Sequence, residues 1–444
     1  MTSSRYLGEP VTAIRGPVLS YTGDPFLEEP GACTQYESDA IVAMAGGHIV
    51  DFGSARAVGE RLPPGTPVAS YSDSLIIAGF IDAHVHYPQT DVVAAYGRQL
   101  LDWLNECTYP AEQRFSDPGH ARDVARLFLQ ECLRAGTTSA AVFCTVHPES
   151  VDAFFEEAHA HGMRMLAGKV LMDRNAPDPL LDTPQRGYDE SKTLLLRWHG
   201  RGRLLYCVTP RFAATSSPAQ LEAASALWRE HPGTYLQSHV AENRDEVAWV
   251  RTLYPDRSGY LDVYDHYGAL GPRAIYGHGV WLTDDELSRC HETGTALAHC
   301  PTSNTFLGSG LFKLHDARKP ARSVRVALAT DVGAGTRFSM LATMHEAYKV
   351  AQLNGHPLTA HHAFYLATRG SAHALYLDDR IGSIAVGMEA DVVVLDLKST
   401  PLIAHRMQHC RDLHDALFIQ MTLGDDRTVR ATYIAGRLAY ERAC

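Results

Sequence analysis

His84 and His86, in the run Asp82-Ala83-His84-Val85-His86, are the residues of this 444-residue sequence whose spacing most directly suggests chemistry. If the run is a β-strand, its period of two places both imidazoles on one face. Neutral imidazole nitrogens from such a pair can converge on one ion, and zinc accepts them at about 2.0–2.1 Å. An isolated His-x-His signals little, since most such pairs are hydrogen-bonded or surface histidines. His239, His278 and Asp331 change that reading, because each closes a separate apolar segment. If the segments are parallel barrel strands, their C-terminal ends share one mouth. The expected metal ligands are His84, His86, His239 and Asp331, holding one Zn2+ per subunit with a position left for water. Zinc would lower the pKa of that water from about 15.7 to about 7. His278 is expected either as a fifth ligand or as a hydrogen-bond partner of the activated water.

Glu242 follows His239 by three residues and can reach the same mouth without ligating. A hydrolysis that expels an amine needs such a proton carrier, and Asp331 can accept the proton lost by water. Gln89 lies just past the histidine pair, with an amide that can donate and accept along the edge of a purine. Arg211 can grip a carbonyl or ring nitrogen, and Phe212 can stack on a flat base. Trp103 and Tyr109 can either help close a lid or simply pack. Lys169 is expected in a salt bridge or on the substrate side, not as a modified bridge between two metals, so the site is read as mononuclear. A metal-bound scaffold without turnover is the alternative from another class. Against it, a scaffold needs neither an open water position nor a proton shuttle.

The elements that must position these residues are legible in the apolar pattern. Eight segments alternate with helical stretches: Phe80–His84, Thr137–Phe143, Met163–Val170, Leu204–Thr209, Tyr235–His239, Ala274–His278, Thr295–His299 and Val324–Asp331. Several are too uniformly apolar for half-exposed strands, which fits a parallel sheet covered by helices. Val124, Leu127, Phe128 and Cys132 predict one helical stripe, with Gly136 as the stop. Ser217 with Gln220, and Thr283 with Glu286, predict capping boxes, and Gly294 ends the second helix. The fold expected is α/β, a (β/α)8 TIM barrel over residues 76–378, with a doubly wound sheet as its competitor. Candidate strands Val11–Leu19, Glu37–Ala45 and His48–Phe52, with Gly46–Gly47 as a hairpin turn, precede it. Val392–Leu395, Thr428–Ile434 and Leu438–Tyr440 follow it. Residues 1–75 and 379–444 are therefore expected to build one small composite β-sandwich domain.

The formal charge of -11 argues against a nucleic-acid surface, although a free base carries no phosphate to repel. Nine cysteines, odd in number and without a CxxC pair, suit reduced thiols in a cytoplasmic protein. No secretory pattern is read in Met1–Pro10, and no 20-residue apolar run suggests a membrane segment. No Walker A or glycine-rich dinucleotide motif is present.

At these residues the chain resembles the amidohydrolase superfamily, and within it the guanine deaminases. Gly79-Phe80-Ile81-Asp82-Ala83-His84-Val85-His86 resembles the opening metal motif, with Ala78 where a proline often stands. Leu101-Asp102-Trp103-Leu104 with Thr108-Tyr109-Pro110-Ala111-Glu112, and Thr209-Pro210-Arg211-Phe212, are the more discriminating runs. Gln237–Glu242, Tyr276–Gly279, Ala298–Asn304, Ala329–Gly333 and Gly382–Val392 carry the resemblance to nearly the whole chain. It implies hydrolysis of guanine to xanthine and ammonia, with water attacking C2. Glu242 would protonate N3 and assist ammonia departure, while Asp331 and His278 position and deprotonate the water. Gln89, Arg211 and Phe212 would orient the base. The resemblance also implies a homodimer in the cytosol. Deamination of a related heterocycle, such as 8-oxoguanine or a triazine, is the alternative within the enzymes, because zinc activation would survive a change in the groups that read the base.

Overall fold

The computed structural model describes residues 10–96 and 99–443. The reading of Met1–Pro10 thus falls almost wholly outside the described residues, as does Cys444. The chain opens with β1 (Thr12–Tyr21), β2 (Thr34–Ala45), β3 (His48–Ser54), β4 (Val68–Ser70) and β5 (Ser74–Ala78). Gly46 and Gly47 turn β2 into β3 at φ 57° and 82°, the left-handed pair that a tight hairpin requires.

The middle of the chain supplies β6 (Phe80–His86), β7 (Thr137–Phe143), β8 (Arg164–Gly168), β9 (Val170–Leu171), β10 (Leu205–Pro210), β11 (Tyr235–Val240), β12 (Ala274–His278), β13 (Ala296–His299) and β14 (Arg325–Leu328). Apart from the short β9, which pairs with β10, they lie side by side in the order β6-β7-β8-β10-β11-β12-β13-β14. Every neighbouring pair is parallel. Past β14 the Asp331 amide donates to the His84 carbonyl at 3.0 Å, and the Thr330 amide donates to Asp82 Oδ1 at 3.0 Å. These bonds draw the last strand to the first, so the architecture is the expected (β/α)8-like, nearly closed barrel.

The third and eighth strands differ most from the sequence reading, while β6 runs on past His84 to His86. The third apolar segment divides at Lys169, and the backbone is tight there: a Cβ on Gly168 would lie 1.7 Å from the Cys207 carbonyl oxygen. The eighth ends at Leu328, and Asp331 leaves the strand with φ 51°. The helix Pro118–Arg134 buries Val124, Phe128 and Cys132, but Leu127 is 46% exposed. At 100° per residue Leu127 falls about 60° to one side of Val124, whereas Phe128, Cys132, Ala125 and Leu129 lie to the other. Thr283 and Glu286 form a reciprocal capping box. Ser217 accepts from the Gln220 amide, but the Gln220 side chain does not return the bond.

The chain ends in β15 (Val392–Asp396), β16 (Val429–Ile434) and β17 (Arg437–Glu441). Both termini share one mixed sheet in the order β17-β16-β15-β5-β1-β2-β3, with β4 beside β1. The sheet closes on its own inner face, for Val42 and Met44 of β2 pack in one buried cluster with Val392, Val394 and Ala431. Arg203 ties it to the barrel through Glu389 at 2.7 Å and Asp391 at 2.8 Å. Among the described residues no helix is long and apolar enough to cross a membrane.

Candidate active site

The ends of β6, β11 and β12 and the turn after β14 carry His84, His86, His239, His278 and Asp331 to one buried mouth. His86 Nε2 lies 3.1 Å from His239 Nε2. Asp331 Oδ1 lies 3.5 Å from His84 Nε2 and 3.4 Å from His86 Nε2. Ligand atoms of His84, His86 and His239 all fall within 4.8 Å of one another, and His84 belongs to a second such group with His278 and Asp331. His84 Nε2 is buried with no hydrogen-bond partner. Burial, reinforced by the neighbouring imidazoles, holds His84, His86 and His239 well below the ordinary histidine pKa. They are therefore neutral, with lone pairs directed at one another, which is costly unless a cation gathers them. The donor set of three imidazoles and one carboxylate fits a single zinc ion. Cys300 belongs to that second group as well; its thiol donates to the Ala298 carbonyl at 3.4 Å, and burial raises its pKa well above normal.

Neighbouring groups fix which ring nitrogen faces the centre. His239 Nδ1 donates to the Arg211 carbonyl at 2.7 Å, freeing Nε2. His278 Nδ1 is paired in the same way with Asn304 Oδ1 at 2.9 Å. His278 Nε2 then lies 3.4 Å from Glu242 Oε2 and 3.9 Å from Asp331 Oδ2. Ala241, His278 and Asp331 all have positive φ, at 48°, 73° and 51°. Such strain costs roughly 1–3 kcal/mol per residue and persists where surrounding bonds over-determine the backbone. Here the Trp281 amide holds the Ala241 carbonyl at 3.0 Å, and the Gly335 amide holds that of Asp331 at 2.6 Å.

Gly277, in β12, makes room for His84: a Cβ there would lie 2.5 Å from Cε1 and 2.8 Å from Nε2 of its ring. Gly277→Ala should therefore displace His84 and weaken zinc binding by roughly 10–100-fold, the size of effect seen when groups supporting a ligand are lost. Competition with a chromogenic chelator measures this, and an unchanged affinity would contradict the placement.

Glu242 and Gln89, Arg211 and Phe212 line a cleft that opens onto the same histidines. Burial pushes the Glu242 carboxyl up to about 7, opposed by a hydrogen bond from the Ser309 hydroxyl at 3.1 Å. Its backbone is pinned by Glu246, which accepts from the Glu242 amide at 2.8 Å and the Asn243 amide at 3.1 Å, completing a capping box for helix Arg244–Leu253. Trp103 and Leu104 add an apolar wall, and Tyr109 lies 5.5 Å beneath the Arg211 guanidinium. A π-helical turn at Leu104–Thr108 links these walls.

Lys169 is elsewhere. Its fully buried ammonium pairs with Asp182 and, at 3.4 Å, with Glu190, so it serves as the expected salt bridge. Glu112 has no role that its sequence run Thr108–Glu112 discloses; it is fully buried and joins Gln89 to Arg211. Asn304, Ser309 and Glu246 were likewise without roles. The capping pattern Asn243…Glu246 was the local signal for the last of these.

A barrel that presents neutral imidazoles and a carboxylate from its strand ends, beside a buried acid, defines a metal-dependent hydrolase. The chain belongs to the amidohydrolase family, whose model matches residues 75–439, and within that family to the guanine deaminases. It is 49% identical over 433 residues to the guanine deaminase of Escherichia coli, covering 97% of this chain and 98% of that one. A solved E. coli guanine deaminase structure superposes with a TM-score of 0.95 at 49% identity, covering 97% of this chain and all of that one. The guanine deaminase from Bradyrhizobium japonicum follows at 0.94 and 36% identity, covering 98% and 100%. The C. acetobutylicum guanine deaminase, solved with guanine in its active site, gives 0.84 at 25% identity, covering 97% and 100%.

Proposed function

We propose that the protein hydrolyses guanine to xanthine and ammonia with one zinc ion per chain. The observation that carries this reading is the meeting of four metal-ligand side chains and a buried glutamate in the cleft walled by Gln89 and Arg211. His84, His86, His239 and Asp331 would hold the metal. When bound, zinc supplies the Lewis acidity that makes water a competent nucleophile near neutral pH.

The remaining chemistry belongs to the chain. Water adds at C2, and one of its protons passes to Asp331, beside His278. Glu242, whose burial lets it hold a proton near pH 7, protonates N3. The C2–N bond then breaks, and the amino group leaves as ammonia with a proton returned through Glu242. Arg211 and Gln89 offer hydrogen bonds to the base edge, and Phe212 offers an apolar face. The Arg211 carbonyl also holds His239, so one residue links base reading to the metal centre. A homodimeric, cytosolic form belongs to the same proposal and rests on the family resemblance; light scattering should return twice the chain mass.

Purified, zinc-quantified protein should be given guanine, adenine, cytosine and 8-oxoguanine, with ammonia and the oxo products measured. Guanine should be strongly preferred. Efficient turnover of another base with little xanthine formed would replace the substrate, and no ammonia from any base would favour a scaffold.

A further inference from the structure

We infer that Glu112 is a specificity-determining positioning residue that makes the cleft wall complementary to the lactam edge of a 6-oxopurine. The inference deepens the guanine reading and rests on it. Glu112 Oε2 pairs with Arg211 Nη1 at 2.6 Å, and both side chains are nearly inaccessible. Its other oxygen, Oε1, faces Gln89 Nε2 at 3.3 Å. An ion-paired carboxylate can only accept hydrogen bonds, so the Gln89 amide must turn its NH2 towards Glu112. That commits Gln89 Oε1 to the other direction. Among the described residues nothing donates to it, and it packs over Gly333, where an added Cβ would lie only 2.1 Å away.

Gln89 and Arg211 both line the cleft, so its wall holds, beside the guanidinium of Arg211, a carboxamide whose carbonyl accepts from no described protein group. A base that sets an N–H next to a C=O satisfies both, as N1–H and C6=O of guanine do. 2-Aminopurine has the same C2 amine and N3 but lacks that N–H and that carbonyl, so it gives the Gln89 carbonyl no donor and the Arg211 guanidinium no partner beyond Glu112. Sites that must leave buried polar groups unpaired reject an analogue by roughly four orders of magnitude. Without the carboxylate, Gln89 is free to flip and Arg211 loses its anchor, so discrimination should fall while the reacting centre is untouched.

The test is Glu112→Gln in the zinc-loaded enzyme, read as kcat and KM for guanine, the inhibition constant of 2-aminopurine and zinc per chain. The guanine KM should rise about 10-fold or more while kcat changes less, and the 2-aminopurine constant should move less than about 3-fold. Gln89→Leu leaves the Glu112–Arg211 pair standing and should give the same pattern. It decides the matter if Glu112→Gln fails to fold. The double variant should add less than about 3-fold to Gln89→Leu, as expected of groups acting as one unit. Equal shifts for both ligands, as a merely structural role would produce, or no shift in either, would overturn the inference while wild-type xanthine formation leaves the guanine reading intact. A wild-type protein that forms no xanthine would overturn both.

Discussion

Glu242→Gln should bind one zinc ion per chain and lose roughly 10²–10⁴-fold in kcat for guanine, the usual contribution of a positioned proton carrier. The substitution is nearly isosteric, and an amide oxygen can still accept from the Ser309 hydroxyl that now meets Glu242 Oε1 at 3.1 Å. Its backbone stays where Glu246 holds it, through the amides of residues 242 and 243. What the amide cannot do is carry a proton at neutral pH. The native carboxyl can, because burial pushes it up to about 7, so a large protonated fraction is available where an exposed glutamate would be almost wholly ionised. Stopped assays for ammonia and xanthine measure the loss, and elemental analysis measures the metal. Retained kcat would remove Glu242 from the proton path. Loss of zinc along with activity would instead assign it to holding the centre together.

Much of this arrangement is legible in the sequence. The apolar segments ending in His84, His239 and His278 are strands because a barrel buries them on both sides, and the polar residue at each end marks the shared mouth. Thr283, Glu286 and Gly294 act as their local chemistry dictates, since a cap depends on residues within one turn. Leu127 was misassigned because four apolar positions at helical spacing can straddle the edge of the buried arc. The division of the third strand was illegible because it comes from the close approach of Gly168 to Cys207, a contact across the sheet. Glu112 was missed for the same kind of reason. Its partners are 23 and 99 residues away, and no local periodicity reports a buried carboxylate that bridges two loops. The union of the terminal strands in one β domain was also legible, but not the pairing of β5 with β15 that makes it, again a contact across most of the chain.

The largest effect should come from the metal itself. Three neutral imidazoles and a carboxylate converge on one mouth, where His84 Nε2 is buried with no hydrogen-bond partner. Zinc lowers the pKa of water by roughly 8–9 units, so its loss should leave no nucleophile at neutral pH and take turnover below roughly one part in 10³. Chelated protein should also unfold at a lower temperature, because a ligand bound only by the folded state stabilises it. Titrating zinc back into chelated protein while following xanthine formation is therefore the most direct test. The account predicts activity rising linearly and breaking at one zinc per chain. Full activity in protein shown to contain no metal, or a break at two, would contradict it.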